Sequence, residues 1–310
     1  MVKDIMVVRE FVPDALDGER VDRVVSFITG ASRSMVSRAI QDGEILCNNL
    51  VIRKGSHKVV SGDLIVVESR HLSSSFEVEA DPTISVPIVH EDPDFVVIDK
   101  PSGLVVHPAT SHKTGTLVNG LLSLYPKIST VGEPERPGIV HRLDKGTSGL
   151  LVTALTPEGY VKLSQQIQNK TIGRVYTALV LGYLESERGV VDAPLGRDPK
   201  NPVRRAVVAG GKEARTRYEV IERYKDPELC CLVRCELETG RTHQIRAHFS
   251  AIGHPIAGDN LYGGASTSMN LGRPFLHSSS LTFQHPMTNE DLKFSSKIPQ
   301  ELLEILEKVQ

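Results

Sequence analysis

The chain has 310 residues, 40% of them hydrophobic and 24% charged, with a formal net charge of −2. This is the make-up of an ordinary soluble protein, long enough for two domains and able to bury roughly three quarters of its extended surface. No run of ~18 apolar residues is present to span a membrane, and Met1-Val2-Lys3-Asp4 lacks the basic start and apolar core of a signal peptide. In chain order, Val21, Val24, Val25 and Ile28 have the spacing of one buried helix face. Ser32 or Ser34 can cap a second helix that carries Val36 and Ile40, and Gly43 can end it in a left-handed conformation. Glu44–Cys47 reads as a strand, Asn48-Asn49 as a turn, and Leu50–Ile52 and Leu64–Val67 as further strands on either side of Gly62-Asp63. Charge is segregated here: residues 23–60 carry Arg23, Arg33, Arg38, Arg53, Lys54 and Lys58 against only Asp42 and Glu44, a local balance of +4. Arg70–Ser75 has linker composition, which puts a domain boundary near residue 76, between 1–76 and 77–310.

The remainder is a series of short Val-, Ile-, Leu- and Thr-rich runs punctuated by Gly and Pro, which predicts a sheet-based core. Phe95–Ile98 reads as a strand entering a turn at Lys100–Leu104. Thr156-Pro157-Glu158 starts a helix by capping hydroxyl, proline at the first position and acid near the positive end, with Tyr160, Leu163 and Ile167 following. Val175–Leu181 returns to strand, and Ile245, Phe249 and Ile252 give the buried face of a helix that Gly253 ends. Leu302, Ile305 and Leu306 mark a last short helix after Pro299. Strands dominate without regular βαβ alternation, so the class is α+β. The four cysteines, Cys47, Cys230, Cys231 and Cys235, form no Cys-x-x-Cys pair; buried free thiols in a reducing, cytoplasmic setting are expected.

The most informative segment is His141-Arg142-Leu143-Asp144-Lys145-Gly146-Thr147-Ser148-Gly149, which sets a carboxylate between two cations before a glycine-containing turn. Nearby positive charge keeps such an Asp ionised. A structural ion pair capping a turn is the plainer account of a lone Asp-Lys, but nine residues in this order resemble the signature of the RluA-type pseudouridine synthases. Arg174-Val175-Tyr176 is similar to that family's second motif, with Arg where Lys is common. Gly240-Arg241-Thr242-His243-Gln244-Ile245-Arg246 is similar to the third. Lys100–Gly103, Lys212–Thr216, Gly253–Asp259 and Leu276-His277-Ser278 match as well, Ser278 standing where Ala is commoner, so the resemblance spans roughly residues 88–290. The two helices and small strands at the N-terminus, with Arg33 and Arg38 beside the second helix, resemble the ribosomal-protein S-four-type RNA-binding module.

The resemblance implies a mainly antiparallel mixed-sheet catalytic domain behind a small α+β RNA-binding domain. It implies isomerisation of uridine: the bond from ribose to uracil nitrogen breaks, the base turns, and ribose is rejoined to carbon 5. No group enters or leaves and no redox change occurs, so no metal or organic cofactor is expected; no phosphate-binding loop and no His-Glu-x-x-His helix is present. The uridine must leave its stack to be reached. By the same resemblance Asp144 is the catalytic carboxylate, Tyr176 stacks on the uracil and is the candidate base for the proton on carbon 5, and Arg246 binds the carboxylate. Arg142, His141, Arg241 and His243, with Arg33 and Arg38, are expected to contact RNA. Whether Asp144 attacks the anomeric carbon, removes a proton or adds to the base stays open. The expected partner is RNA, a stem-loop of large-subunit (23S) ribosomal RNA or the ribosomal particle, with transfer RNA as the other substrate and a monomer as the default state. A non-catalytic ribosome-assembly factor and a glycosidase-like enzyme pairing Asp144 with Glu238 are the competing classes; the latter needs two carboxyl groups across one bond.

Overall fold

A computed structural model describes residues 6–31, 33–69, 72, 78–108, 113–265 and 269–309. The chain forms two compact units, one of Met1–Ile84 with His107–Ile139 and Ala154–Val161, the other of Ser85–Val106, Val140–Thr153 and Lys162–Gln310. Of the linker-like stretch Arg70–Ser75 only Leu72 is described, and it is buried.

In the first unit the strands are β1 (Met6–Phe11), β2 (Ile45–Cys47), β3 (Leu50–Val51) and β4 (Leu64–Ser69), and the helices are α1 (Val21–Thr29), α2 (Arg33–Asp42) and α3 (Leu117–Leu124). The strands make an antiparallel sheet in the order β1-β4-β2-β3. Val21, Val24 and Val25 of α1 and Val36 and Ile40 of α2 pack with Ile45, Ile65 and Val67 into one core. Gly43 ends α2 at φ +76°, and Glu44 N–H bonds back to the Ala39 carbonyl, as a left-handed cap requires. Asn48 and Asn49 both have positive φ, the two-residue turn that matches the twist of a β2–β3 hairpin. Ser32 lies outside the described residues, and Ser34 falls inside α2. Strand β1 escapes a sequence reading because its outward residues Val7 and Phe11 are exposed, so no polar–apolar alternation marks it.

The second unit is built on one sheet of mixed direction. Its strands are β5 (Ile88–Glu91), β6 (Phe95–Lys100), β7 (Ser148–Ala154), β8 (Gly173–Leu181), β9 (Arg188–Asp192), β12 (Arg215–Tyr224), β13 (Cys230–Leu237), β14 (Leu276–Gln284) and β15 (Asp291–Ser295). The order is β5-β6-β7-β14-β8-β13-β12-β9, with β15 also on β14; β7 and β14 run parallel, and the other assigned pairs are antiparallel. A two-stranded hairpin, β10 (Leu195–Arg197) with β11 (Arg205–Val207), stands apart from it. The helices are α4 (Pro157–Gln168), α5 (Gln244–Ala251) and α6 (Gln300–Leu306). Thr156 Oγ1 accepts the Gly159 N–H at 3.1 Å, the cap expected for α4. Helix α5 ends one residue sooner than its apolar spacing suggests: Ile252 is its C-cap and is exposed, so it is not part of the buried face. All four cysteines are buried and free, and no described helix is long and apolar enough to cross a membrane.

Candidate active site

Asp144 lies in the tight turn that enters β7, closed by Thr147 N–H donating to the Asp144 carbonyl at 3.0 Å. Two neighbouring segments hold this turn from outside. The Lys100–Leu104 turn after β6 reaches it through Gly103 N–H to the Lys145 carbonyl (2.8 Å) and Ser102 Oγ to the Gly146 carbonyl (3.1 Å). Lys100 itself is fully buried, and its ammonium donates to the carbonyls of Pro101 (2.8 Å), Leu104 (2.9 Å) and Lys145 (3.4 Å). Burial pushes this amine down to about 7, against the pull of Asp144. On the other side Arg273 donates to the carbonyls of Gly146 (3.2 Å) and Leu276 (3.3 Å) and pairs with Glu301 of α6 (2.8 Å). Gly149, at φ +110°, abuts the Ser278 backbone so closely that any Cβ would overlap it, which explains a glycine where β7 meets β14.

The carboxylate is presented to a guanidinium. Arg246 on α5 donates through Nη1 to Asp144 Oδ2 at 3.2 Å, while its Nε and Nη2 hold the buried Asp259 at 2.6 and 2.9 Å. The fork on Asp259 locks the guanidinium plane, and the remaining nitrogen meets the half-buried Asp144. The aromatic ring of Tyr262 lies 4.9 Å beneath the same guanidinium. His243, the N-cap of α5 with a left-handed backbone (φ 57°), brings Nε2 to 3.9 Å from Asp144 Oδ2. Burial pushes its imidazole down despite Asp144, so the ring is neutral at pH 7. Tyr176 is buried on β8, opposite Ser278 of β14 and Cys235 of β13. Burial and, less strongly, the Asp144 charge raise its phenol, partly offset by Arg174 and a hydrogen bond with Ser278. Asp144, Tyr176, Arg246 and His243 therefore gather in one place.

The other expected site residues differ in their surroundings. Arg142 is exposed, and its charge is felt at His243. Arg241 is exposed and donates through Nε to the Glu213 carbonyl (2.9 Å). The Gly240–Gln244 turn is fixed by Gln244, whose amide accepts from Thr239 Oγ1 and Arg241 N–H and donates to the Arg215 carbonyl and Thr216 Oγ1. Arg174 is buried against Gly240. Glu238 is held by Arg217 (2.5 Å) and Arg215 (3.6 Å). In the first unit Arg33 pairs with Asp22 (3.3 Å) and Glu133 (3.7 Å), whereas Arg38 is exposed on α2.

His141 Nε2 accepts the Val152 N–H at 3.0 Å, which braces the approach to Asp144 against β7. Burial, with Arg174 adding, pushes its imidazole from 6.5 down to about 3. The unfolded ring gains a proton near 6.5 and the folded ring only near 3, so the stability it contributes is complete above pH 6.5 and is lost progressively as the pH falls toward 3. His141→Gln keeps an acceptor for Val152 but cannot titrate. Between pH 6.5 and 5 the thermal midpoint of the wild type should therefore fall more steeply than that of the variant; parallel slopes would show that this ring titrates normally.

A family model described as RNA pseudouridylate synthase matches residues 94–251, and one described as S4 domain matches residues 19–65. Over 290 residues the chain is 41% identical to an uncharacterised RNA pseudouridine synthase of Bacillus subtilis, covering 93% of each. The chain belongs to the RNA pseudouridylate synthase family. The synthase is also 41% identical over 306 residues to the ribosomal large subunit pseudouridine synthase D of Nitrosomonas europaea, covering 96% of this chain and 86% of that one. The fold is shared with human RNA pseudouridylate synthase domain containing 1, at a TM-score of 0.56 and 24% identity over 71% of this chain and 86% of that one. The synthase is thus an isomerase acting on RNA, with an S4 domain near its N-terminus. Lys100, Asp259, Tyr262 and Arg273 also brace the segments around Asp144 and Arg246, and none of them was expected to have a chemical role. Lys100 and Asp259 fall in segments that match the family, Lys100–Gly103 and Gly253–Asp259, whereas no such segment covers Tyr262 or Arg273.

Proposed function

We propose that Asp144 is the catalytic carboxylate and that the synthase isomerises uridines in a stem-loop of large-subunit (23S) ribosomal RNA, free or in the ribosomal particle. The observation that carries the assignment is the Asp144–Arg246–Asp259 arrangement: one guanidinium is fully engaged by a buried carboxylate and offers its last nitrogen to a second, accessible one. A carboxylate so held stays ionised and oriented while one oxygen remains for the reacting nucleoside. Attack on the anomeric carbon, removal of a ribose proton and addition to the base all use that oxygen, and all end with the C1′–N1 bond broken, C1′–C5 made, and the C5 proton exchanged for one on N1. Tyr176, protonated at neutral pH, serves as the platform on which the turned base stacks. Arg142 and Arg241, the exposed cations of the two motifs, meet the RNA together with His243, and His141 acts through the loop it braces. Arg33 and Arg38 of the S4 domain supply further RNA contacts.

The substrate reading is supported by the similarity to proteins of N. europaea and Pseudomonas aeruginosa named ribosomal large subunit pseudouridine synthase D, at 41% and 40% identity. Buried free thiols and the absence of a described membrane-crossing helix agree with a cytoplasmic enzyme, taken as a monomer. Base-resolved mapping of pseudouridine in total RNA, from cells with and without the gene, tests this directly. Sites in large-subunit ribosomal RNA should vanish with the gene, return with wild type and stay absent with Asp144→Asn. Loss confined to transfer RNA would move the substrate, and unchanged sites with defective ribosome assembly would leave only RNA binding.

A further inference from the structure

We propose that Tyr262, acting through His243, is a positioning residue for Asp144 and couples that carboxylate to the cationic hairpin β10–β11, a role that rests on Asp144 as the catalytic group.

The Tyr262 hydroxyl accepts the backbone N–H of Arg205, the first residue of β11, at 2.8 Å. It also lies 3.0 Å from His243 Nδ1. A phenol has one proton, and His243 in its neutral form has one donor and one acceptor nitrogen. Giving the phenol proton to Nδ1 satisfies the hydroxyl and that nitrogen together, and it leaves the imidazole hydrogen on Nε2. That nitrogen is the one 3.9 Å from Asp144 Oδ2. A directed hydrogen-bond chain thus runs from the Arg205 amide through Tyr262 to His243, whose Nε2–H then faces, across a longer electrostatic contact, the Asp144 oxygen that Arg246 also holds.

Two further observations point the same way. His243 is not glycine, yet it has a left-handed backbone at φ 57°, an uncommon conformation that puts its ring edge-on to Tyr262, with centroids 5.6 Å apart. The Tyr262 ring also touches both ends of the chain, with Arg246 at 4.9 Å and Arg204 of the hairpin at 5.0 Å. Residues 195–207 hold Arg197, Lys200, Arg204 and Arg205 against Asp198 alone, so the element at the far end of the relay is the one that phosphates attract. Seating of RNA on the hairpin would therefore be felt at Asp144.

The test uses the full chain, with RNA and ribosomal particles from cells lacking the gene as substrate, and single-turnover conversion as the readout. Tyr262→Phe keeps the ring between the two arginines and removes only the hydroxyl. The rate constant should fall ~10-fold, about the effect of one lost positioning contact, with half-saturating RNA within twofold and the thermal midpoint unchanged. His243→Ala should be as slow as Tyr262→Phe, while His243→Gln, whose amide oxygen can accept from Tyr262 and whose nitrogen can take the place of Nε2, should be several-fold faster than His243→Ala. Arg197→Gln/Lys200→Gln should slow wild type but add nothing in the Tyr262→Phe background. A wild-type rate in Tyr262→Phe, a loss that follows the thermal midpoint, equal defects in His243→Gln and His243→Ala, or additive hairpin effects would each overturn the relay. Asp144→Asn is assayed alongside: turnover retained there would remove the underlying assignment instead, whereas with turnover lost there the relay variants alone decide whether the relay stands.

Discussion

Asp144→Asn is expected to lower the single-turnover rate of pseudouridine formation by at least ~10³-fold, with RNA affinity within about threefold. The substitution is nearly isosteric, and the amide oxygen can still accept from Arg246 Nη1, so the loop and its clamps from Lys100, Ser102 and Arg273 should remain in place. What disappears is the negative charge, which each candidate role of Asp144 requires. A rate within tenfold of wild type would take Asp144 out of the reaction. A rate loss accompanied by a matching loss of affinity would make it a binding residue.

Arg246→Gln should be the most damaging change for fold and rate together. Asp259 is 1% exposed and, among the described residues, takes its two side-chain hydrogen bonds from this guanidinium, while Asp144 accepts from the remaining nitrogen. Removing one partner of a buried ion pair costs about 3–5 kcal/mol, because the other charge stays buried without compensation. At ~2–4 °C per kcal/mol for a domain of this size, the thermal midpoint should drop by roughly 6–20 °C. The rate should fall by ~10² or more, since two carboxylates then share a site with no guanidinium between them. Arg246→Gln/Asp259→Asn separates the two effects. With the buried charge removed, much of the midpoint should return while the rate stays low; recovery of the rate as well would mean that Arg246 acts on Asp144 only by keeping the site folded.

Local pattern was enough for some of the elements, while β1, α3, β5 and β9–β15 were not read from it. The 3.6-residue spacing of Val21, Val24 and Val25, the positive-φ pair Asn48-Asn49, the Thr156 cap and the apolar run of β7 depend on residues within a turn or two of each other. The ordered motifs around Asp144, Tyr176 and Arg246 were legible for the same reason, as was the α+β class. Even there, the last residue of α5 was misread, because helix ends are decided by capping and not by apolar spacing.

The contacts among the candidate site residues come only from the tertiary structure. Asp144 and Arg246 are 102 residues apart, and nothing local says which of several carboxylates an arginine will meet. That Asp259 takes the fork and Asp144 the remaining nitrogen follows from where α5 and the Gly258–Tyr262 loop bring their side chains. That Tyr176 faces Ser278 follows from the β8–β14 register, which shifts just beyond that pair. Amino-acid order was sufficient for α1, α2, β2–β4, β6, β8 and α4–α6 and for the residue types able to do the chemistry, because propensity, capping and periodicity act over a few residues. Only the tertiary structure shows that Arg246 divides its guanidinium between Asp144 and Asp259, that Lys100 is buried and that Tyr262 meets His243, because charge–charge geometry depends on strand order, register and loop path over a hundred residues of chain.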